Sequence, residues 1–269
     1  MMFAKQVLLF ASKVFERLTR RCLLLPARTA WGERIWLMPP EPASTQIFLT
    51  GRMDPDLDQI LTYLLKPGQT FIDVGAHIGY VSLLAHHLTQ GGHVVALEPT
   101  PDTFRCLQRN SKERNIRPYP LAVWSECSRL SFNVYGQRFS AYNSFFEPRV
   151  DPTYRSRVDR QRITAEAITL DAFIEGSRVL PDVIKIDAES AELPILHGAR
   201  RVLNSQRPVV IIEVGDLGIP NAANSIEVVN FLVNNHSYLP FEWHGRLVPH
   251  QKQERYQAGN LVFLPYERQ

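Results

Sequence analysis

The sequence predicts an α/β fold, a mostly parallel sheet with helices packed on both faces. Three observations carry that expectation. The runs "FIDV" (71–74), "HVVALEP" (93–99), "DVIKID" (182–187) and "PVVIIEV" (208–214) are short and almost continuously apolar, as strands buried on both faces are. Stretches with apolar residues at helical spacing stand between them, and strands alternating with helices build parallel sheets. The tail then changes character. "YLPFEW", "GRLVPH" and "NLVFLP" follow one another without helices and read as three short strands, an antiparallel addition at one edge. A His244-Gly245 turn joins the first two as a hairpin.

The elements follow in order. Leu57, Ile60, Leu61, Leu64 and Leu65 fall at i, i+3, i+4, i+7 and i+8, the stripe of a helix over 57–65. "KPG" (66–68) makes a turn, and 71–74 is a buried strand. Ile78, Val81, Ala85 and Leu88 share a helical face that Gly91 and Gly92 end. After the strand at 93–99, a helix is expected at about 102–113 and a weaker strand in "YPLAV" (119–123). Residues 182–187 are a strand, followed by a helix ending near Leu203. Residues 208–214 are another strand, and Ser225 caps a helix to about Asn235.

Residues 124–170 interrupt the alternation and are too long for a simple loop. They hold Trp124, Phe132, Tyr135, Phe139, Tyr142, Phe145, Phe146 and Tyr154, and also Arg149, Arg155, Arg157, Arg160 and Arg162. "RLSFNVYG" and "RITAEAITL" look like strands. The segment reads either as a substrate-facing insertion or as a hairpin that covers the sheet.

Composition narrows the function. The 269 residues, 45% hydrophobic, allow one sizeable core. A net charge of +3 with 21% charged residues argues neither for nor against nucleic acid. Cys22, Cys106 and Cys127 are far apart and form no paired framework, which suits free thiols in a reducing, cytoplasmic setting without a zinc site. No apolar run approaches the roughly 18 residues that span a membrane. Phe3, Val7, Phe10, Val14 and Leu18 nevertheless fall on one helical stripe near the N-terminus, among Lys5, Lys13, Arg17, Arg20 and Arg21 with Glu16 the one acid. This helix is expected to pack its stripe on the domain. The alternative is peripheral contact of residues 1–25 with an anionic membrane surface.

The chemistry concentrates at "FIDVGAHIGY" (71–80). In open α/β sheets, ligands sit beyond the carboxyl ends of the strands. Asp73 and Gly75 stand at such an end, where glycine permits close backbone approach and a helix N-terminus favours a negative group. A dinucleotide fingerprint requires G-x-G-x-x-G; here Gly75-Ala76-His77-Ile78-Gly79 lacks the additional glycine. Glu98 ends the next strand, at a distance suited to ribose hydroxyls. An early acid, a G-x-x-x-G loop and an acid after the second strand fit S-adenosylmethionine better than a nicotinamide dinucleotide.

With "ALEPTPDTFRCLQRN", "ITLDAF", "DVIKIDAESAELPILHGA" and "RPVVIIEV" added, the chain resembles the FkbM-type methyltransferases from about Gln46 onward. That divides it into an N-terminal basic extension, 1–45, and a methyltransferase domain, 46–269. The resemblance implies a class I, Rossmann-like three-layer sandwich whose seven-stranded sheet has an antiparallel last strand. It implies that Asp73, Gly75 and His77 approach the methionine end of the cofactor, with Ala76 and Gly79 in the same cofactor-binding loop, that Glu98 holds the ribose, and that Ala122 and Val123 flank the adenine. Three places depart from the family pattern: His77 replaces the usual Asn, Val123, Trp124 and Ser125 stand where the family often has a polar or acidic residue beside the adenine, and Ser190 replaces the usual Gly after Glu189.

Methyl transfer from a sulfonium is an in-line displacement, and aligning the partners supplies much of the rate. A hydroxyl acceptor, which the resemblance suggests in a sugar, glycolipid or secondary metabolite, also needs a base. Asp187, ending "VIKID", is the first candidate, then Glu189 and Glu213; a charged residue ending a buried strand is costly unless used or paired. Glu192, in a first helical turn, is explained by the helix dipole alone. Lys185, mid-strand, reads as structural. Asp187 and Glu213 suit magnesium as oxygen ligands, but base catalysis without a metal is the leading expectation. Two alternatives remain. One is an RNA methyltransferase, favoured only by the basic cluster at 155–162. The other is a non-catalytic, membrane-associated binding protein that keeps the fold.

Overall fold

Alternate residues of each central strand feed two separate cores. The computed structural model describes residues 2–19, 21, 23–147, 160–216 and 218–268. In chain order these form α1 (Met2–Thr19), β1 (Leu25–Arg28), β2 (Arg34–Leu37), α2 (Pro42–Thr50), α3 (Pro55–Leu64), β3 (Thr70–Val74), α4 (Tyr80–Thr89), β4 (His93–Leu97), α5 (Pro101–Ser111) and β5 (Ile116–Tyr119). Next come β6 (Ala122–Val123), β7 (Ser128–Tyr135), β8 (Arg160–Ile168), α6 (Leu170–Ser177), β9 (Val183–Ile186), α7 (Glu192–His197), α8 (Arg200–Ser205) and β10 (Val209–Val214). The chain closes with α9 (Ser225–Asn230), β11 (Tyr238–Trp243), β12 (Leu247–Pro249) and β13 (Gly259–Pro265).

The main sheet has eight strands in the order β12-β11-β13-β10-β9-β3-β4-β5. The five strands β10, β9, β3, β4 and β5 are mutually parallel. The last strand, β13, is inserted antiparallel between β10 and β11, as the family resemblance implies. The eighth strand is β12, which pairs with β11 across the His244-Gly245 turn and extends the edge beyond the seven expected. Phe71, Val94, Val183, Val209 and Ile211 enter one core with side chains of α3, α4 and α5. Ile72, Val95, Ile184, Val210 and Ile212 enter the other, with α6 to α9. Period-two alternation with both faces apolar is what produced the continuous hydrophobic runs.

Local chemistry explains the shifted boundaries. Asp54 accepts the Asp56 and Leu57 N–H groups at 3.0 and 3.1 Å, and Pro55 occupies the first turn, so α3 begins before its apolar stripe. The cap of α9 is Asn224 rather than Ser225, in a capping box with Glu227. The strand expected at 119–123 divides in two. Tyr119 ends β5 opposite Leu97, while Ala122 and Val123 join β8 in a separate small sheet ordered β6-β8-β7. Pro120 lies between them and has no N–H to continue the ladder.

Part of the segment before residue 46 packs into the main core. Leu25, Ile35, Leu37 and Met38 of the β1–β2 hairpin belong to the same core as Phe71 and Val94. Buried Asn110 ties the hairpin down: its side chain accepts the Trp36 N–H at 2.7 Å and donates to the carbonyls of Trp36 and Ile78 at 2.9 and 2.8 Å. The helix α1 forms as expected, but Val7, Phe10, Val14 and Leu18 of its apolar stripe are exposed rather than packed on the domain. Lys5 Nζ donates to the carbonyls of Phe48 and Leu49, at the end of α2, and Ser12 Oγ to that of Pro39, so the opposite side faces inward. Among the described residues no helix is long and apolar enough to cross a membrane.

Replacing Asn110 by Leu removes its bonds to three backbone groups, of which the Trp36 carbonyl keeps the Cys106 thiol. The expected loss is about 2–4 kcal/mol, measured by denaturant unfolding; a loss below about 0.5 kcal/mol would show that this amide does not hold the hairpin.

Candidate active site

Strand order reverses between β3 and β9: the chain winds outward through β4 and β5 on one side and through β10 on the other. A cleft opens there at the carboxyl ends, as parallel sheets dictate. Gly75, Ala76 and His77 line it after β3, Glu98 after β4, and Asp187 and Glu189 after β9. Glu213 of β10 also lines it, as do Ala122 and Val123. The expected residues converge with two exceptions. Asp73 lies beneath the floor, fully buried, and Gly79 stands behind the wall as the N-cap of α4.

Glycine is obligatory at the corner. Gly75 has φ +78°, and a Cβ there would lie 1.9 Å from the Asp187 carbonyl oxygen. The end of β3 thus passes against the end of β9 with no room for a side chain. His77 adopts φ 50°, a region that Asn, Asp and His enter more readily than most residues; this accounts for His standing where the family has Asn. Its backbone N–H donates to Glu98 Oε2 at 2.9 Å. Glu98 Oε1 accepts from the Thr100 N–H at 2.9 Å and from the Thr103 hydroxyl at 2.8 Å, and it also pairs with the Thr100 hydroxyl. The carboxylate is held rigid, and Oε2 accepts one bond of the two an oxygen can take.

The floor carries charge. Register places Asp73 opposite Lys185, and two-residue periodicity carries Asp187 to the same face as Lys185. Lys185 Nζ lies 3.1 Å from Asp187 Oδ2 and 3.6 Å from Asp73 Oδ1. Ser82, on α4, donates to Asp73 Oδ2 at 2.6 Å. Burial by itself pulls the Lys185 ammonium down, but Asp187 and Asp73 outweigh it and hold it above the ordinary lysine range. Burial pushes the Asp73 carboxyl up, against the pull of Lys185 and Ser82. Lys185 is therefore an ammonium shared by two acids, one of them in the cleft wall.

Glu213 lies on this same sheet face, two residues beyond Ile211. Carboxylate oxygens of Asp187, Glu189 and Glu213 approach within 4.8 Å of one another, a hard-oxygen set of the kind that suits magnesium. Glu189 and Ser190 have φ 52° and 79°. Ser190 thus occupies the left-handed position where the family has glycine, a strain of about 1–2 kcal/mol. Glu192 turns away from the cleft: it is buried and accepts the Ala188 N–H at 3.1 Å.

The insertion supplies the remaining wall. β7 and β8 form the expected antiparallel hairpin, and Phe132, Ser140, Asn143 and Phe145 line the cleft. His77 Nε2 lies 3.1 Å from Ser140 Oγ, and Ser144 Oγ donates to the Glu189 carbonyl at 2.5 Å. One segment is thus fastened to the loops after β3 and after β9. Burial raises the Tyr142 phenol, reinforced by Glu189, Glu41 and Glu213, so it stays a protonated donor near the acids. Sequence reasoning missed Ser82, Thr100, Thr103 and Ser140, and named Tyr142 only among the aromatic residues of the insertion. The Thr100-x-x-Thr103 spacing after Glu98 was a legible signal for two of them, whereas Ser140 and Tyr142 lie far along the chain. Of the basic cluster, Arg149, Arg155 and Arg157 lie outside the described residues; Arg160 and Arg162 are on β8.

The profile of the methyltransferase FkbM domain matches residues 73–240. The chain belongs to the FkbM methyltransferase family. The matched stretch begins at the buried Asp73 and ends in β11, so it takes in the insertion and the cleft lining apart from Ala43 and Met53. The hexuronic acid methyltransferase AglP of Haloferax volcanii is 27% identical over 164 residues, 60% of this chain and 62% of the relative, so the match spans less than two thirds of that relative's length. Among solved structures, a methyltransferase FkbM from Methylobacillus flagellatus KT is 17% identical, covering 81% of this chain and 52% of that one, with a TM-score of 0.47. An O-methyltransferase from Thermotoga maritima is 12% identical, covering 90% of this chain and 77% of that one, with a TM-score of 0.45.

Gly75→Ala drives a Cβ into the Asp187 carbonyl and forces a left-handed alanine. It is expected to cost more than about 2 kcal/mol of stability, read from the denaturant midpoint; an unchanged midpoint would mean the two strand ends can separate freely.

Proposed function

We propose that the chain is an S-adenosylmethionine-dependent O-methyltransferase whose acceptor is a sugar hydroxyl, a hexuronic acid residue of a glycan being the leading class. The observation that carries this reading is the cleft itself, with a rigid ribose-type carboxylate, Glu98, on one side and the carboxylates of Asp187, Glu189 and Glu213 on the other. The relative named as a hexuronic acid methyltransferase supports the sugar class.

The residues fit the cofactor. The turn Gly75-Ala76-His77 lines the cleft beside Glu98, Glu98 Oε2 has capacity for a hydroxyl, and the apolar Leu121, Ala122, Val123 and Phe132 offer a surface for a planar base. S-adenosylmethionine, when bound, supplies a methyl group activated on a sulfonium. The protein's own part is alignment and proton removal. Asp187, anchored by the Lys185 ammonium, is the assigned base: it accepts the acceptor's hydroxyl proton as the oxygen is methylated. Glu189 and Glu213 hold further hydroxyls of the sugar, and the insertion closes the wall beside them.

Glu98→Ala is expected to weaken S-adenosylmethionine binding about 10- to 100-fold by calorimetry. Unchanged affinity would remove Glu98 from the ribose role. Asp187→Asn is expected to lower kcat by about 100-fold or more while changing cofactor affinity far less; normal turnover would rule out the base. Acceptors are identified with labelled cofactor offered to glycans containing glucuronic acid and, separately, to RNA, each with and without EDTA. Label in glycan that persists in EDTA supports the reading. Label in RNA alone overturns the acceptor, and an EDTA loss restored by magnesium reassigns the three carboxylates as metal ligands.

A further inference from the structure

The helix α1 is built inside out. At 3.6 residues per turn, Phe10, Val14, Val7, Leu18, Phe15 and Leu8 follow one another around roughly 160° of its circumference, and every one of them is exposed, Phe10 at 68% and Leu18 at 78%. The side that meets the domain is mostly polar: Ser12 is buried, and Lys5 and Glu16 are half-buried beside Leu9. The contrast within the molecule is sharp, since α4 buries Val81, Leu83, Leu84 and Ala85. Water-exposed apolar arcs of this breadth mark interaction surfaces.

We infer that α1 docks on an anionic lipid bilayer, lying in the plane of the interface with this arc among the acyl chains. Charge selects the occupant. Lys13 and Arg17, both exposed, border the arc beside Phe10, and exposed Arg21 follows the helix. Among the described residues no ion pair joins Lys13, Arg17 or Arg21 to an acid. Glu16, the one acid of the helix, is turned toward the domain instead. A broad apolar face rimmed by cations is the pattern of an interfacial helix, with the cations reaching phosphate and the apolar side chains entering the bilayer. A seam with a second copy buries a narrower stripe, and it would bring Lys13 and Arg17 of both copies to one border. The contact also has a place in the enzyme. α1 packs on α2, whose Ala43 lines the cleft, so the bilayer lies one element away from the site. The inference does not depend on which acceptor is methylated.

The test is co-sedimentation of the full chain with vesicles of phosphatidylcholine alone and of phosphatidylcholine mixed with phosphatidylglycerol, alongside sedimentation velocity without lipid. The chain is expected to partition onto the phosphatidylglycerol vesicles and to lose that binding as salt is raised. Phe10→Ser with Leu18→Ser is expected to weaken partitioning at least about tenfold, with an unchanged circular dichroism spectrum because both side chains are exposed. Lys13→Glu with Arg17→Glu is expected to weaken it about tenfold or more on the anionic vesicles only. The inference is overturned if the chain ignores phosphatidylglycerol vesicles, or if both double variants partition as the parent does. A lipid-free dimer that Phe10→Ser with Leu18→Ser dissociates, in a chain that ignores vesicles, gives the face to a second copy instead.

Discussion

The Lys185 ammonium, buried in the middle strand between two carboxylates, sets the terms for the rest of the site. Taking such a charge out of water costs several kcal/mol unless partners sit at contact distance. Those partners are Asp73 on β3 and Asp187 at the end of Lys185's own strand. A slip of one residue in the β3–β9 register would turn Lys185 into the face occupied by Ile72 and Ile184. The ion triad therefore specifies how the parallel strands β3 and β9 align. It also keeps the end of β3 against the end of β9, where a glycine at 75 is the one residue that fits.

From that alignment the cleft follows. Period-two geometry carries Lys185, Asp187 and Glu213 to one face. The neighbouring strand brings Glu98 alongside, its carboxylate clamped by Thr100, Thr103 and the His77 amide. The insertion then bridges the site, touching the His77 ring with Ser140 and the Glu189 carbonyl with Ser144. His77, the residue that departs from the family pattern, faces two ways: its backbone serves Glu98 and its ring serves the insertion. Another departure, Ser190, carries strain in the loop that presents Glu189, and strain that persists at a site is held there by its surroundings.

The inverted helix at the N-terminus is a different kind of conflict. Local pattern and tertiary placement normally agree in natural sequences. Here a strong amphipathic pattern is attached to the domain by Lys5 and Ser12 and left with its apolar side in water. A disagreement of that kind is expected where a second surface completes the packing.

Much was legible before folding, and the reason is locality. A buried parallel strand writes itself as a continuous apolar run, so β3, β4, β9 and β10 could be found, and with them the acids at their ends, Glu98, Asp187 and Glu213. The tight turn after β3 needs glycine, which the sequence displays at 75. What escaped was whatever depends on partners distant along the chain. Pro120 divided a strand between two sheets, and periodicity alone does not say which neighbours compete for each half. Lys185 read as structural, snorkelling or paired with an acid, because a single strand does not reveal Asp73 across from it. Ser140 and Tyr142 gained their places from the path of the insertion. A helical pattern states which residues share a face, so the stripe of α1 was determined by the sequence alone. Whether that face turns toward the core or toward solvent depends on which side finds better contacts on the finished domain, and only the tertiary structure decided that.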